Sequence, residues 1–210
     1  MILHGYWRSG AAWRTRIALA LKGLEYDQQG VDLRTGAQRS DAFVALNPQG
    51  MVPALEVDGA VLTQSPAILE WLEETHPLPP LLPADPVARA QVRAMAALIG
   101  CDIHPLNNLR VGKALRESFG ADQAAVDAWA ERWIAPGFAA LEALVVRHGA
   151  GWCFGDVPTL ADCYLIPQIY SARRFNVPLD AFPRLLAVDS AAAAHPAFAA
   201  AHPDRQPDAD

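Results

Sequence analysis

The stretch VPALEVDGAVLTQSPAILEWLEETH, residues 52–76, predicts a strand hairpin followed directly by a helix. Asp58-Gly59 separates two short apolar runs, and such a dipeptide is a strong signal for a tight turn between antiparallel strands. Ser65 and Pro66 then open the helix, with the hydroxyl expected at the N-cap and proline at the first helical position. The helix is expected to end before Pro77, because proline cannot continue it.

The residues before the hairpin predict two further strands and two helices. Residues 2–7 are short, apolar and partly aromatic, as in a strand, and residues 26–32 are a plausible second strand. Residues 11–23 consist of good helix formers closed by Gly23, and residues 39–46 suggest one or two helical turns. The predicted order is β-α-β-α-β-β-α, an α/β domain with a mixed four-stranded sheet, over residues 1–80.

The residues after the hairpin predict a linker and a second, all-helical domain over residues 87–210. The proline-rich stretch PLPPLLPADP, residues 77–86, cannot continue a helix and is predicted to be the linker. Alanine and leucine at helical spacing then predict helices at 87–117, 122–148, 159–174 and 180–200.

Two short segments of the second domain carry local structural signals. Thr159 and Asp162, in TLAD, form a capping-box pattern, which assigns Asp162 a structural role. The polar and proline-broken residues 202–210, HPDRQPDAD, are expected to be a loose tail.

Composition excludes several classes of protein. A net charge of −6 argues against nucleic-acid binding, which needs clustered positive charge. Cys101, Cys153 and Cys163 are scattered, as expected for a reducing compartment without structural disulfides. The chain begins with a predicted strand rather than a signal peptide, and no apolar run reaches the roughly 18 residues of a membrane span. We therefore expect a cytoplasmic protein that binds neither nucleic acid nor membrane.

The sequence contains no pattern for a metal or for several common catalytic sites. The six histidines include no HxxxH or HExxH pair, and no cysteine lies at ligand spacing, so no metal is expected. There is also no GxSxG, Walker loop or GxGxxG.

Two helix starts are candidate anion sites. Ser9, in WRSGAAWRTRIALALKG (residues 7–23), precedes a helix whose free N–H groups and positive dipole end stabilise a nearby anion. Its hydroxyl could donate a hydrogen bond to a thiolate and lower the pKa of a bound thiol. The simpler interpretation is that Ser9 only caps the helix. Ser65 offers the same two possibilities, and Gln64 beside it favours binding.

The second domain contains a polar cluster within an apolar helix. His104, Asn107 and Asn108, in CDIHPLNNLR (residues 101–110), are expected on one helix face, with Arg110 further round. Such clustering needs a reason, either an internal hydrogen-bond network near Pro105 or a polar substrate pocket. Arg174, in SARRF (residues 171–175), is a second candidate cation, although a surface arginine near a helix end is the simpler interpretation.

The domain layout and several motifs resemble cytosolic glutathione transferases. The resemblance covers about residues 1–200 and is carried by the following strings: WRSGAAWRTRIALALKG, ALNPQGMVPAL (45–55), LTQSPAILEWLEE (62–74) and TLADCYLIPQ (159–168). The first string resembles the zeta class. CDIHPLNNLRV (101–111) and SARRF resemble the maleylacetoacetate and maleylpyruvate isomerases within that class.

The resemblance implies a thioredoxin-like first domain that binds glutathione as a coenzyme. Ser9 would activate its thiol, assisted by the backbone N–H groups of Gly10, Ala11 and Ala12. Val52 would pair its backbone with the cysteine of glutathione, before a cis Pro53. The other implied glutathione contacts are Gln64 and Ser65 at the γ-glutamyl carboxylate, Gln38 at the glycine end, and Gln49, His104 and Asn108. The usual zeta string is Ser-Ser-Cys, so Ser9-Gly10-Ala11 lacks the second serine and the cysteine.

The activity implied is cis–trans isomerisation of 4-maleylacetoacetate to 4-fumarylacetoacetate, in tyrosine catabolism, by thiolate addition, bond rotation and elimination. Arg8, Arg110 and Arg174 would suit the two carboxylates of such a substrate, since arginine binds carboxylates bidentately. Alternatives are maleylpyruvate isomerisation in gentisate breakdown, general conjugation of electrophiles, and a non-catalytic binding protein of the same fold. The family also implies a homodimer.

Overall fold

The computed structural model describes residues 1–210, which divide into two compact units. Unit 1 comprises Met1–Leu81 and Ala193–Asp210, and unit 2 comprises Leu82–Ala192. The helices are α1 (Gly10–Leu21), α2 (Asp41–Leu46), α3 (Ser65–Thr75), α4 (Pro86–Ala97), α5 (Leu109–Phe119), α6 (Gln123–His148), α7 (Leu160–Arg174), α8 (Pro183–Ala194) and α9 (Pro196–Ala201). No helix combines the length and the apolar composition that spanning a membrane requires.

Unit 1 contains a mixed four-stranded sheet in the order β2-β1-β3-β4, which confirms the predicted α/β domain. The strands are β1 (Ile2–Gly5), β2 (Asp27–Gly30), β3 (Ala54–Val57) and β4 (Ala60–Thr63). β1 is parallel to β2 and antiparallel to β3, and β3 is antiparallel to β4. Asp58 and Gly59 both have positive φ, 49° and 81°, as the tight turn of a two-residue hairpin requires.

Helix α1 is almost entirely buried in unit 1, charged residues included. Its residues Ala12–Leu19 are buried, among them Arg16, which is 0% exposed. At its C-terminal end, Lys22 donates hydrogen bonds to Glu73 Oε2 at 2.8 Å and to the carbonyls of His76 and Pro79 at 2.7 and 3.1 Å. This buried ion pair joins α1, α3 and the residues that follow α3.

The helix after the hairpin begins one residue earlier than expected. Gln64, not Ser65, occupies the N-cap of α3, and Ser65 is its first helical residue, with Pro66 second. Ile68 N donates to Gln64 O at 3.0 Å, the first bond of the helix. The prediction is wrong because the adjacent Gln64 adopts the non-helical backbone that the cap position needs, which leaves the serine inside the helix.

Residues 193–210 belong to unit 1, whereas the prediction assigned 87–210 to one helical domain and expected 202–210 to be loose. Helix α9 packs on α1, where Arg16 Nε donates to Ala201 O at 3.2 Å. The carboxylate of Asp208 accepts hydrogen bonds from Trp7 N at 2.9 Å and from Gln28 Nε2 at 2.6 Å. The partners of this polar segment lie some 180 to 200 positions away, so local patterning cannot show that it is anchored.

Unit 2 is built around α7, which packs on α4 and buries residues Leu160–Ile169. The predicted capping box is confirmed: Asp162 Oδ2 accepts from Thr159 N at 2.7 Å and from Thr159 Oγ1 at 2.8 Å. Asp162 Oδ1 also accepts from Cys153 N at 2.8 Å. The same carboxylate therefore starts α7 and anchors the loop before it.

The prediction of a single helix at 87–117 is wrong, because the α-helix is interrupted between α4 and α5. A π-helical segment, Leu98–Ile103, is followed by a 3-10 turn, His104–Leu106, before Asn108 caps α5 by accepting from Arg110 N at 3.3 Å. Pro105 lacks an N–H for a regular helix. On α6, Gly137 admits this segment, since a Cβ there would lie 2.7 Å from Ile103 Cγ1.

The helix predicted at 180–200 is likewise two helices, α8 and α9. They separate at His195, whose extended backbone (φ −86°, ψ 127°) precedes Pro196 at the first position of α9. A residue before proline disfavours the helical region, which accounts for the break.

Candidate active site

The start of α1 is a capped helix end with hydrogen-bond donors left over. Ser9 is the N-cap, and its Oγ accepts from Ala12 N at 3.3 Å. The Ala12 amide is thus used by the cap, contrary to the expectation that it faces the thiolate. This bond uses a lone pair of the hydroxyl oxygen, so the hydroxyl hydrogen can still be donated. The N–H groups of Gly10 and Ala11 lie in the first turn, where no helical carbonyl is within reach. Capping and anion binding by Ser9 are therefore compatible.

The electrostatics of this helix start favour an anion. The first turn of α1 contains no acidic residue, so its positive dipole end is not neutralised. Arg8 precedes Ser9, and its guanidinium carbon lies 5.1 Å from the centre of the Trp7 ring, within the range of a cation–π contact. Because Trp7 is buried, its ring is fixed, and the contact restrains the positively charged side chain of Arg8, the residue before the N-cap.

The Val52-Pro53 peptide bond is cis, as the resemblance implies. Val52 is nearly buried, in a cluster with Tyr6, Trp7 and Phe43. No main-chain hydrogen bond within the protein involves the N–H or C=O of Val52, which precedes β3. A backbone segment with a free donor and acceptor is suited to pairing with another extended peptide.

Three glutamines come together around Gly50. Gln64 Nε2 donates to Gln49 Oε1 at 2.5 Å. Gly50 has a φ of 60°, and a Cβ there would lie 2.9 Å from Gln38 O, so only glycine permits this approach. The Gln38 Oε1 atom is buried without a hydrogen-bond partner, which leaves an acceptor for a ligand.

Two residues that the sequence interpretation missed hold this group in place. Arg39 donates to Gln49 O at 3.3 Å, and Asn47 accepts from Gln49 N at 3.1 Å while donating to Met51 O at 2.6 Å. Asn47-Pro48 carries a signal for this role, because asparagine before proline is a common start of a turn with side-chain bonds to the backbone.

The start of α3 is a second anion-binding position. Ser65 is 4% exposed, and Pro66 has no N–H, so the helix start presents the amides of Ser65 and Ala67. Gln64 has a φ of 67° and a ψ of 110°, a conformation that costs a non-glycine residue about 1–3 kcal/mol. Strained backbone of this kind is concentrated at ligand sites.

The polar residues of unit 2 do not share one helix face, contrary to the prediction. His104 begins the 3-10 turn, Asn107 follows it and Asn108 caps α5. Trp129 Nε1 fastens the turn to α6 by donating to Leu106 O at 2.8 Å. Asn107 is 9% exposed and its Nδ2 is buried without a partner, so the segment is not a closed internal network.

The two arginines of unit 2 that are candidate substrate ligands lie near helix ends. Arg110 is the second residue of α5 and Arg174 the last of α7, and both are exposed. The neighbouring Arg173 forms an ion pair with Asp189 at 2.6 Å.

The protein's cysteines do not form a reactive or metal-binding group. Cys153 and Cys163 are buried, and burial raises the pKa of Cys153 well above its usual value. No group of three or more His, Cys, Asp or Glu side chains is arranged to hold a metal ion. The donors at Ser9, the free Val52 backbone and the side chains of Gln38, Gln49 and Gln64 instead suit an extended ligand with anionic and peptide-like groups.

Several known proteins are similar to this chain in sequence and in fold. Family models for the N-terminal and C-terminal domains of glutathione S-transferase match residues 8–75 and 123–200. Maleylacetoacetate isomerase of Pseudomonas aeruginosa is 55% identical over 99% of this chain and 98% of its own length.

Two solved structures are also similar. One is a holo structure of maleyl pyruvate isomerase, described as a bacterial glutathione S-transferase in the zeta class, with 53% identity, complete coverage of both chains and a TM-score of 0.98. The other is maleylacetoacetate isomerase from Anaeromyxobacter dehalogenans with bound glutathione, with 50% identity, coverage of 100% and 97%, and a TM-score of 0.90. The chain therefore belongs to the glutathione S-transferase family, in its zeta class.

Proposed function

We propose that the protein is a glutathione-dependent isomerase that converts 4-maleylacetoacetate to 4-fumarylacetoacetate. The observation that carries the proposal is the start of α1, where the Ser9 hydroxyl and the amides of Gly10 and Ala11 remain available to an anion. A polar, dianionic substrate also agrees with the positive charge of Arg8 beside this helix start.

The chain's own residues hold the reactive sulfur as an anion. Bound glutathione supplies a thiolate whose reversible addition removes the double-bond character of the maleyl group and permits rotation. Ser9 donates its hydroxyl hydrogen to the sulfur, and the dipole of α1 favours the same charge, so both lower the thiol pKa. Ala11 carries no thiol, so the protein contributes no nucleophile of its own at this turn.

Other residues fix the orientation of the coenzyme. We propose that Ser65 and Gln64 bind the γ-glutamyl carboxylate at the start of α3, and that the Val52 backbone pairs with the cysteinyl part. Gln49 orients Gln64 through their mutual hydrogen bond, and Gln38 offers its free Oε1 to the glycine end. The contacts proposed for His104 and Asn108 rest on the family resemblance.

We propose that Arg8, Arg110 and Arg174 bind the substrate carboxylates. Replacing Arg8 or Arg110 with alanine should lower kcat/KM roughly 10- to 100-fold, because each loses a charge-assisted hydrogen bond of about 1.5–3 kcal/mol. Steady-state kinetics at saturating glutathione provide the measurement. Arg116→Ala, an exposed arginine near the other end of α5, is the control and should change kcat/KM little. Unchanged KM and turnover in both site variants would rule the proposal out.

Maleylpyruvate is the rival substrate. A relative named maleylacetoacetate isomerase and one named maleyl pyruvate isomerase are almost equally similar to this chain, at 55% and 53% identity. An ultraviolet assay with each maleyl compound, with and without glutathione, separates the candidates. We expect turnover only with glutathione and a larger kcat/KM for maleylacetoacetate. A larger value for maleylpyruvate would reassign the substrate. No glutathione-dependent turnover of either would contradict isomerase activity and favour a conjugating transferase or a non-catalytic binding protein.

Three further proposals concern the setting of the reaction. The protein is proposed to be cytoplasmic, to act in tyrosine catabolism and to form a homodimer. Light scattering coupled to gel filtration measures the homodimer directly.

A further inference from the structure

The C-terminal segment, residues 203–210, lies against the turn that leads into α1. Asp208 reaches this turn through its carboxylate, which accepts from the backbone N–H of Trp7 at 2.9 Å. Its second oxygen accepts from Gln28 Nε2 at 2.6 Å, on β2 beside β1. The carboxylate thus connects the turn to the sheet.

The main chain of Trp7 is held on both sides by charged groups. Its N–H donates to Asp208, and its carbonyl accepts from the Arg16 guanidinium at 2.7 Å. Ser9 N donates to Tyr6 O at 2.9 Å, which closes the turn two residues further on. Any shift of Trp7 is therefore transmitted along a short, hydrogen-bonded segment to Ser9.

Three neighbouring contacts keep the segment in place. Gly30 allows the close approach, since a Cβ there would lie 3.0 Å from that of Asp208. Ala209 packs against the cluster that contains Trp7 and Val52, and Asp210 forms an ion pair with Arg34. The segment is a fitted part of unit 1.

We propose that Asp208 is a positioning residue for the thiolate-binding turn Trp7–Ala11, acting through the backbone of Trp7. The inference rests on the proposed role of Ser9 toward glutathione. Asp208 touches neither the reacting atoms nor Ser9. Its effect is to hold the Ser9 hydroxyl and the amides that follow it in the geometry that stabilises the sulfur anion.

The test compares Asp208→Ala with Asp208→Asn, which removes the charge but keeps an oxygen acceptor for Trp7 N. The new amide N–H faces Gln28, whose side-chain amide can turn so that its unpartnered Oε1 accepts it. In the protein without glutathione, Asp208→Ala should accelerate hydrogen exchange of the Trp7 amide at least 10-fold, and Asp208→Asn should change it little. With glutathione bound, the ultraviolet absorbance of the thiolate gives the thiol pKa. We expect Asp208→Ala to raise this pKa by about half a unit or more, and Asp208→Asn to leave it near the wild-type value.

A purely electrostatic role would have the opposite sign. Removing a negative charge near a thiolate favours the anion, so a thiol pKa lowered in both variants would overturn the proposal. So would a loss of thermal stability with unchanged exchange and unchanged thiol pKa, which indicates a structural role only. If Asp208→Ala does not fold, Asp208→Asn decides the question. A 10-fold change in hydrogen exchange of the Trp7 amide, or a change of half a unit in the thiol pKa, overturns the proposal. Wild-type values of both quantities support it.

Asp204→Ala is the matched control, since Asp204 is an exposed aspartate of the same segment. It should leave amide exchange at Trp7 and the thiol pKa unchanged. Neither readout requires turnover of a maleyl compound, so the result is independent of which substrate the enzyme uses.

Discussion

Replacing Ser9 with alanine should lower kcat for isomerisation roughly 100-fold or more, the cost of removing a hydrogen-bond donor from a charged reacting group. Ser9 is the only residue of the Ser9-Gly10-Ala11 turn whose side chain can donate to the sulfur, so nothing adjacent replaces it. The pKa of the bound thiol should rise at the same time, because its anion loses a hydrogen bond. Steady-state kinetics and ultraviolet titration of bound glutathione measure the two effects.

Loss of the helix cap must be separated from loss of the donor. Ser40 caps α2 in the same way, its Oγ accepting from Phe43 N at 3.3 Å, so Ser40→Ala removes a comparable cap together with a bond to Ala37 O at 2.8 Å. Each variant should lose about 1 kcal/mol of stability. Only Ser9→Ala should lose activity and raise the thiol pKa. Equal activity in the two variants would restrict Ser9 to capping and assign thiolate stabilisation to the backbone amides.

The elements of residues 1–81 are predictable because their signals are local. Asp58-Gly59 specifies a tight turn whatever surrounds it, and apolar strands bounded by turns can form only a small number of sheets. The family strings then located the candidate ligand residues around Ser9, Val52 and Gln64. The orientation of the three glutamines Gln38, Gln49 and Gln64 is not predictable from the sequence. It depends on the backbone of Gly50 and on hydrogen bonds between Gln49 and the side chains of Arg39 and Asn47.

Where the prediction failed, long-range contacts decided the structure. Periodicity continued across residues 98–108, but Ile103 packs where Gly137 leaves room on a distant helix, and Asn108 starts a new helix. The polar residues after 202 were expected to be loose, although Asp208 finds the main chain of Trp7. Composition indicates whether a segment is polar, but it does not indicate whether a partner exists for it elsewhere in the fold.

Replacing Asp162 with alanine should lower the free energy of unfolding by about 3–5 kcal/mol, one of the larger effects of a single substitution. The carboxylate is fully buried and accepts from Cys153 N, Thr159 N and Thr159 Oγ1 at 2.7–2.8 Å. Alanine leaves these donors in a site that water does not reach, and each unpaired donor costs about 1–3 kcal/mol. Chemical denaturation followed by circular dichroism measures the loss.

Asp122→Ala is the matched control, because Asp122 caps α6 by accepting from Ala125 N at 2.8 Å but is exposed. Water can solvate the donor that this variant frees, so it should lose only about 1 kcal/mol. Asp162→Asn keeps one acceptor and removes a charge that burial disfavours, which is why the pKa of Asp162 is raised. The stability lost in Asp162→Asn should therefore lie between the losses in the two alanine variants. If Asp162→Ala were no more destabilising than Asp122→Ala, the carboxylate would be an ordinary cap. A large difference assigns the stability of unit 2 in part to the three donors that converge on the buried Asp162, because the exposed Asp122 accepts from one backbone N–H.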